Sequence, residues 1–367
     1  MEYDFLIVGS GLFGSVFARG ATDRGYKCLV IDKRDHIGGN CYTENVDGID
    51  IHTYGPHIFH TSAKKIWDYV NRFAEFEQFE LNIIANRNSK LFNLPFNMWT
   101  FYQMWGEKDP EQVRKIIQDQ QYRGEITNLE QQALSLVGKD IYENLIKDYT
   151  TKQWGRDPSL LPASIIRRLP VRLTYNNNYF NDTYQGIPKY GYTKLFENLL
   201  EGIEIDLEID FFKKRDYYEN IAERVVYTGP IDRFYDYEYG KLDYRSLRHE
   251  NEILQRESFQ ANVVVNYTDL ETDYTRIIEH KFFHKNIKTD STIITREYPA
   301  KYTGENEPMY PVNDMENTEK LSRYQKISHS LKYILGGRLA EYKYYDMHQV
   351  VGSALKTIEK LGLNKTT

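Results

Sequence analysis

The stretch Tyr3-Asp4-Phe5-Leu6-Ile7-Val8-Gly9-Ser10-Gly11-Leu12-Phe13-Gly14 decides the fold. Its first half is apolar on both alternating faces, the pattern of a strand buried in a parallel sheet. Its second half is G-x-G-x-x-G. Residues 15–24 have helical character, Gly25 ends them, and residues 27–31 form a second β-branched strand closed by Asp32. Strand, glycine loop, helix, strand and acid in this order make a complete βαβ dinucleotide-binding unit. Gly9 permits the tight turn, Gly11 lets backbone approach a pyrophosphate, and Gly14 lets the helix lie close to the strand. The helix, opening at Leu12 and Phe13, points its amides and dipole at the phosphates. Asp32 is placed to hold a ribose hydroxyl.

Working outward, Ile31-Asp32-Lys33-Arg34 leads to Gly38-Gly39-Asn40. This second glycine pair is absent from nicotinamide enzymes and resembles the longer fingerprint of FAD proteins. Gly336-Gly337 precedes the last helix, where many FAD folds return to cover the flavin. No second strand–GxGxxG–helix and no CxxC is present. A two-nucleotide reductase or a disulfide reductase is therefore disfavoured. An oxidase-like enzyme or one using flavin for other chemistry is left.

At 367 residues the chain is too long for one core and implies two or three domains. A net charge of -6 argues against nucleic acid as a partner. The two cysteines, Cys28 and Cys41, form neither a zinc set nor a disulfide framework. Acids stand where a signal peptide carries bases, and no apolar run reaches the ~18 residues of a membrane span. A cytoplasmic protein with no membrane partner is expected. The 31 tyrosines suit sugar and base recognition, since each pairs a flat apolar face with a hydroxyl.

Further along, Asn128 caps a helix with Gln131 at its third position, and Gly138 stops it. A second helix follows over 141–149. Pro162, Pro170 and Asn176-Asn177-Asn178 mark a mobile connection. Residues 240–300 are strand-rich with antiparallel pairing expected. Residues 333–335 are a strand and 346–360 a helix.

Several longer strings then become specific. They include Tyr54-Gly55-Pro56-His57-Ile58-Phe59-His60-Thr61, Tyr149-Thr150-Thr151-Lys152-Gln153-Trp154-Gly155, Asn177-Asn178-Tyr179-Phe180, Tyr274-Thr275-Arg276-Ile277-Ile278-Glu279-His280, Tyr310-Pro311-Val312-Asn313 and Gly337-Arg338-Leu339-Ala340-Glu341-Tyr342. The chain resembles the bacterial UDP-galactopyranose mutases nearly end to end. The resemblance implies an α/β protein, α+β overall, in three parts. These are a discontinuous Rossmann-like FAD-binding domain (1–82, 184–234 and 310–367), a helical bundle (97–162) and an antiparallel sheet domain with a mobile lid (83–96, 163–183 and 235–309).

The resemblance also implies the reaction, UDP-galactopyranose to UDP-galactofuranose and back, with no net redox change. Reduced FAD is the nucleophile in that family: N5 attacks the anomeric carbon and holds the sugar covalently while the ring reopens. An external reductant such as NAD(P)H or a reducing flavin system, a homodimer, and a role in cell-surface polysaccharide supply come with it. Arg168 and Arg276 match the arginines that hold the diphosphate, as a two-pronged guanidinium does well. Tyr179, Tyr310 and Tyr344 match its tyrosine contacts. Tyr149 matches the aromatic that stacks on uracil, with Thr150, Trp154 and Asn266 beside it. Leu145 stands near the uridine where the family can carry Phe. His57 and His60, with Ile58, lie near the flavin. Arg338, Tyr345, Asp346 and Met347 border it, with Asp346 also capping the last helix. No metal is implied.

Overall fold

β1 (Tyr3–Val8) is the middle strand of a five-stranded parallel sheet. The order is Glu204–Asp206, β2 (Cys28–Ile31), β1, Ala222–Tyr227 and Tyr333–Leu335. Every ladder in it is parallel. A computed structural model describes residues 1–166, 170–285, 287–327 and 331–364 of the chain. Phe5, Leu6 and Ile7 are almost completely buried, as a strand covered on both faces requires. α1 (Leu12–Thr22) follows β1 directly. A Cβ on Gly14 would lie 1.9 Å from the Gly9 carbonyl oxygen, so only glycine lets the helix sit on the turn. Because the strands are parallel, Val8, Ile31, Tyr227 and Leu335 all end at one edge of the sheet. That edge is where ligands bind in open α/β sheets.

This sheet belongs to a first unit, Met1–Phe79, Asp182–Tyr244 and Tyr310–Thr367. One of its cores joins Leu6, Leu29 and Ile31 to Phe211, Tyr218, Val225 and Phe234. The return to the first unit is built as the glycine turn suggests. Gly336 donates its N–H to Tyr227 O at 3.1 Å and lies against the Phe13 ring, where any Cβ would collide. The last helix, Met347–Lys360, packs on α1.

The second unit is Glu80–Asn181 and Arg245–Met309. Its helices are Met98–Trp105, Pro110–Gln120, Leu129–Ile141 and Lys147–Trp154. Asn128 caps as expected, its side chain accepting from Gln131 N at 3.0 Å. Gly138 differs from expectation. It stands at φ 76°, ψ 178° inside Leu129–Ile141, so it kinks the helix where a stop was predicted. A single wide turn, Tyr142–Ile146, leads into Lys147–Trp154, which Gly155 ends at φ 64°.

Strands of the second unit follow the order Tyr244–Leu254, Thr292–Lys301, Arg276–Glu279, Val264–Tyr267, Ile83–Arg87 and Lys90–Leu94. The antiparallel pairing expected over 240–300 is present. One ladder departs from it: Val264–Tyr267 runs parallel to Ile83–Arg87. These strands are remote in sequence, and no hairpin fixes their relative direction. No helix among the described residues is long and apolar enough to cross a membrane.

Candidate functional site

In the first unit Gly9, Gly11, Asp32 and Gly39 lie together at the carboxyl edge of the parallel sheet. Gly9 N donates to Ile31 O at 2.8 Å and closes the turn after β1. Gly11 caps α1 without any side-chain bond, and the first turn carries no acid. Leu12 and Phe13 are buried beneath the loop. Gly39, at φ 56°, approaches Gly11 so closely that a Cβ on Gly39 would lie 2.9 Å from Gly11 Cα. Gly38 N donates to Ser10 O at 3.1 Å. Two glycine loops thus meet with no side chain between them, beside a helix start with uncapped amides. A dinucleotide pyrophosphate fits that cradle.

Asp32 does more than the sequence indicated. Its Oδ2 accepts from Ser10 N at 2.8 Å and Ser10 Oγ at 2.7 Å, and its Oδ1 accepts from Arg34 N at 3.0 Å. The carboxylate therefore braces the glycine loop. Carboxylate oxygens offer about four acceptor directions, so a ribose hydroxyl remains compatible. Lys33 is exposed, and Arg34 donates to Asn40 Oδ1 at 2.8 Å while lying over the Tyr54 ring. Cys41 is a packed thiol facing Met347 Sδ at 3.6 Å, its acidity weakened by burial, which pushes its pKa up to about 12.

The histidines have defined polar neighbours. His57 Nδ1 contacts Gly55 O at 2.7 Å, its backbone N–H donates to His52 Nδ1 at 3.1 Å, and Ile58 beside it is buried. His60 Nδ1 contacts Asp182 Oδ2 at 2.6 Å, and Ser62 Oγ donates to the other oxygen at 2.7 Å. Burial pushes the Asp182 carboxyl up, but bonds from His60 and Ser62 outweigh it and hold its pKa below the usual range. His348 meets His60 edge to face at 5.3 Å. Burial and the His60 charge lower its pKa. His60, Asp346 and His348 offer ligand atoms within 4.8 Å of one another. Asp346, however, is committed to the cap of the last helix, forming a reciprocal box with Gln349. Arg338 donates to Tyr345 O at 2.7 Å and lies near the Tyr310 and Tyr344 rings, which stack at 5.2 Å.

In the second unit the ladder registers assemble a polar row. Asn266 faces Arg276, Arg276 faces Glu297, and Glu297 faces His249 across successive strands. Directly opposed residues share one face of a sheet. Arg276 Nε lies 2.9 Å from Glu297 Oε1, and His249 Nε2 lies 3.6 Å from Oε2. Glu297 is 1% exposed. Burial pushes its carboxyl up, but Arg276, His249 and Thr275 outweigh this and keep its pKa low. The Asn266 Oδ1 is buried with no hydrogen-bond partner among the described residues, which marks a place for a ligand donor. Glu297 and His249 were missed by sequence reasoning. A charged residue in a strand reads as solvent-facing until register is known.

Tyr149, Thr150 and Trp154 share the helix Lys147–Trp154. Tyr149 and Trp154 are half-buried and Thr150 is buried. Leu145 is buried in the turn before it. Tyr179 is 38% exposed, with its ring edge-on to Phe180 at 5.3 Å. Arg168 lies outside the described residues.

A family model described as UDP-galactopyranose mutase matches residues 144–344. One described as an NAD(P)-binding Rossmann-like domain matches residues 7–73. A Klebsiella pneumoniae protein named "Probable UDP-galactopyranose mutase" is 40% identical, over 97% of this chain and 94% of its own. An Escherichia coli dTDP-fucopyranose mutase is 37% identical, over 96% of both chains. The crystal structure of a reduced UDP-galactopyranose mutase matches with a TM-score of 0.76 at 14% identity, over 100% of this chain and 96% of that one, a likeness of fold.

Proposed function

Since the chain belongs to the UDP-galactopyranose mutase family, we propose that it interconverts UDP-galactopyranose and UDP-galactofuranose with reduced FAD. The observation that carries this reading is the Asn266–Arg276–Glu297 row, a buried anion holding an arginine beside an unfilled amide oxygen. A guanidinium so held suits a diphosphate leaving group, which gains charge as its bond to the anomeric carbon weakens.

FAD is held in this reading by Gly9, Gly11, Gly14, Asp32, Gly39 and Asn40, with His57, Arg338, Tyr345, Asp346 and Met347 bordering the flavin. When bound and reduced, FAD supplies a nucleophilic nitrogen, N5, toward the anomeric carbon, without net redox change. The chain's own residues do the rest. Arg276 and Arg168 clamp the two phosphates and stabilise the departing UDP. Tyr179, Tyr310 and Tyr344 offer hydroxyls to the same oxygens. Tyr149 stacks on uracil, Thr150 and Trp154 line its surroundings, and Asn266 uses its unfilled Oδ1. His60, with Nδ1 committed to Asp182, presents its other ring nitrogen away from that carboxylate. Its role, together with His57, is to hydrogen-bond the cofactor and affect its redox state.

The same reading includes the three-part domain division, with the helical segment 97–162 and the lid as working parts. It includes a cytoplasmic homodimer, an external reductant such as NAD(P)H, and galactofuranose supplied to cell-surface polysaccharide. The test is a side-by-side assay of dithionite-reduced protein on UDP-galactopyranose and dTDP-fucopyranose. Preferred turnover of the UDP-sugar is expected. Preference for the dTDP-sugar moves the assignment to the fucopyranose relative's substrate, and turnover of neither refutes it.

A further inference from the structure

Lys152 lies in the last turn of Lys147–Trp154. Its Nζ donates to Tyr267 O at 2.9 Å, Thr272 O at 2.9 Å and Tyr274 O at 3.0 Å. An ammonium has three donors, and all three are used. Those carbonyls belong to the connection between Val264–Tyr267 and Arg276–Glu279, the strands that carry Asn266 and Arg276. The connection is also held by Thr268, whose N–H donates to Asn86 O at 2.9 Å and whose Oγ1 donates to Asn144 O at 3.0 Å, by Thr272 N to Asp269 Oδ1 at 2.8 Å and by Tyr267 N to Thr275 O at 2.9 Å. A second tie runs parallel to the first. Arg87 reaches Asp148, on the same helix as Lys152, at 2.6 Å, and also donates to Thr268 O. A lysine head inside a cage of main-chain oxygens is a costly arrangement for packing alone, since an apolar side chain of similar length avoids the desolvation.

We propose that Lys152 is a positioning residue whose ammonium, seated on three carbonyls of the 267–274 connection, keeps the helix bearing Tyr149, Thr150 and Trp154 in register with the strands bearing Asn266 and Arg276. The uracil-stacking residues and the phosphate-holding residues then meet one nucleotide at a fixed spacing. This rests on the nucleotide-sugar reading above. It adds a residue that touches no substrate and acts through both halves of the nucleotide subsite.

The electrostatics make the clamp titratable. Burial lowers the Lys152 pKa to about 8. Asp269 and Asp273 on the connection and Asp148 on the helix oppose the lowering, and Arg87 from the strand Ile83–Arg87 adds to it. Loss of the proton leaves two donors and turns a lone pair toward the third carbonyl. The clamp therefore loosens above pH 8, and nucleotide affinity falls with it. Nucleotide binding, which favours the tight clamp, favours the protonated amine.

Holoenzyme carrying Lys152→Met or Lys152→Arg tests this by calorimetric titration with UDP and by turnover of UDP-galactopyranose. Lys152→Met is expected to raise the UDP dissociation constant and KM about tenfold, or 1.4 kcal/mol, at pH 7. Its kcat is expected to stay within about threefold, since uniform binding alone is weakened. Lys152→Arg is expected to recover part of the affinity, its planar fork reaching two of the carbonyls. In the wild type, UDP affinity falls across pH 8, and in Lys152→Met this fall is absent. Wild-type affinity in Lys152→Met, or the same alkaline fall in both proteins, overturns the proposal. If Lys152→Met does not fold, wild-type titrations at pH 8 in two buffers of different ionisation heat read the same linkage. Net proton uptake on binding UDP supports the clamp, and none overturns it. A wild type that binds UDP but leaves UDP-galactopyranose unchanged refutes the mutase reading, while the UDP arm still decides the role of Lys152.

Discussion

Arg276 and Glu297 stand opposite each other on neighbouring antiparallel strands, with Arg276 Nε 2.9 Å from Glu297 Oε1. The strand pairing fixes this relationship, so the guanidinium is aimed before any substrate arrives. The Nε edge of its fork faces Glu297, and gripping the diphosphate is the role proposed for the same guanidinium.

Replacing Glu297 by Gln keeps the shape and removes the charge behind Arg276. Stability is expected to fall by about 3 kcal/mol, because one partner of a buried ion pair is left uncompensated. The ratio kcat/KM for UDP-galactopyranose is expected to fall at least about tenfold. The sign with pH follows from the lowered carboxyl. The pair's contribution is fully present above the ordinary value of 4.5 and is lost as pH falls through the lower folded value. Chemical denaturation of both proteins between pH 3 and 7 checks this, and the two curves should converge toward the acid end.

Arg168→Ala and Arg276→Ala should each cut turnover about a hundredfold or more, through loss of charge-assisted bonds to the diphosphate. Arg276→Lys should recover little, because an ammonium lacks the fork. Steady-state rates on flavin-loaded protein decide it, and near-normal rates contradict the assigned roles.

Gly39→Ala places a Cβ 2.9 Å from Gly11 Cα on a residue at φ 56°. The left-handed conformation alone costs about 1 kcal/mol for a residue with a side chain, and the glycine loops must also move apart. The purified variant is expected to hold little flavin, read from the ratio of visible to ultraviolet absorbance. Full occupancy contradicts the cradle described for the two glycine loops.

His280 is fully buried and contacts Thr295 Oγ1 at 2.6 Å. Burial, with a smaller push from His249, lowers its pKa from 6.5 to about 3. The unfolded chain therefore binds the extra proton between these values. Stability is intact above pH 6.5 and declines as pH falls, by about 1.4 kcal/mol per unit from this group alone. His280→Gln should flatten that part of the curve while lowering stability at pH 7. Equal slopes in both proteins contradict the account.

The N-terminal βαβ unit was legible because its signals are local. An apolar run, three glycines and an acid each act within a few residues of one another, and β1, α1 and β2 appear in that order. Asn128 and Asp346 were legible as caps for the same reason. Gly138 was half-read: its freedom for unusual backbone angles was evident, but whether packing resumes the helix beyond it is a tertiary matter. Glu297 and His249 were not legible, since their meaning comes from ladder registers that join strands far apart in sequence. The same holds for the parallel pairing of Val264–Tyr267 with Ile83–Arg87, and for Lys152, whose three acceptors are main-chain oxygens that no residue type announces. Arg168 came from the motif resemblance, and it lies outside the described residues.

The most direct measurement is incubation of dithionite-reduced, flavin-loaded protein with UDP-galactofuranose, followed by chromatographic separation of the two UDP-sugars. The account requires UDP-galactopyranose to appear, only with the reduced protein, and with no net oxidation of the flavin. UDP-galactofuranose returned unchanged by reduced protein that binds UDP would contradict it.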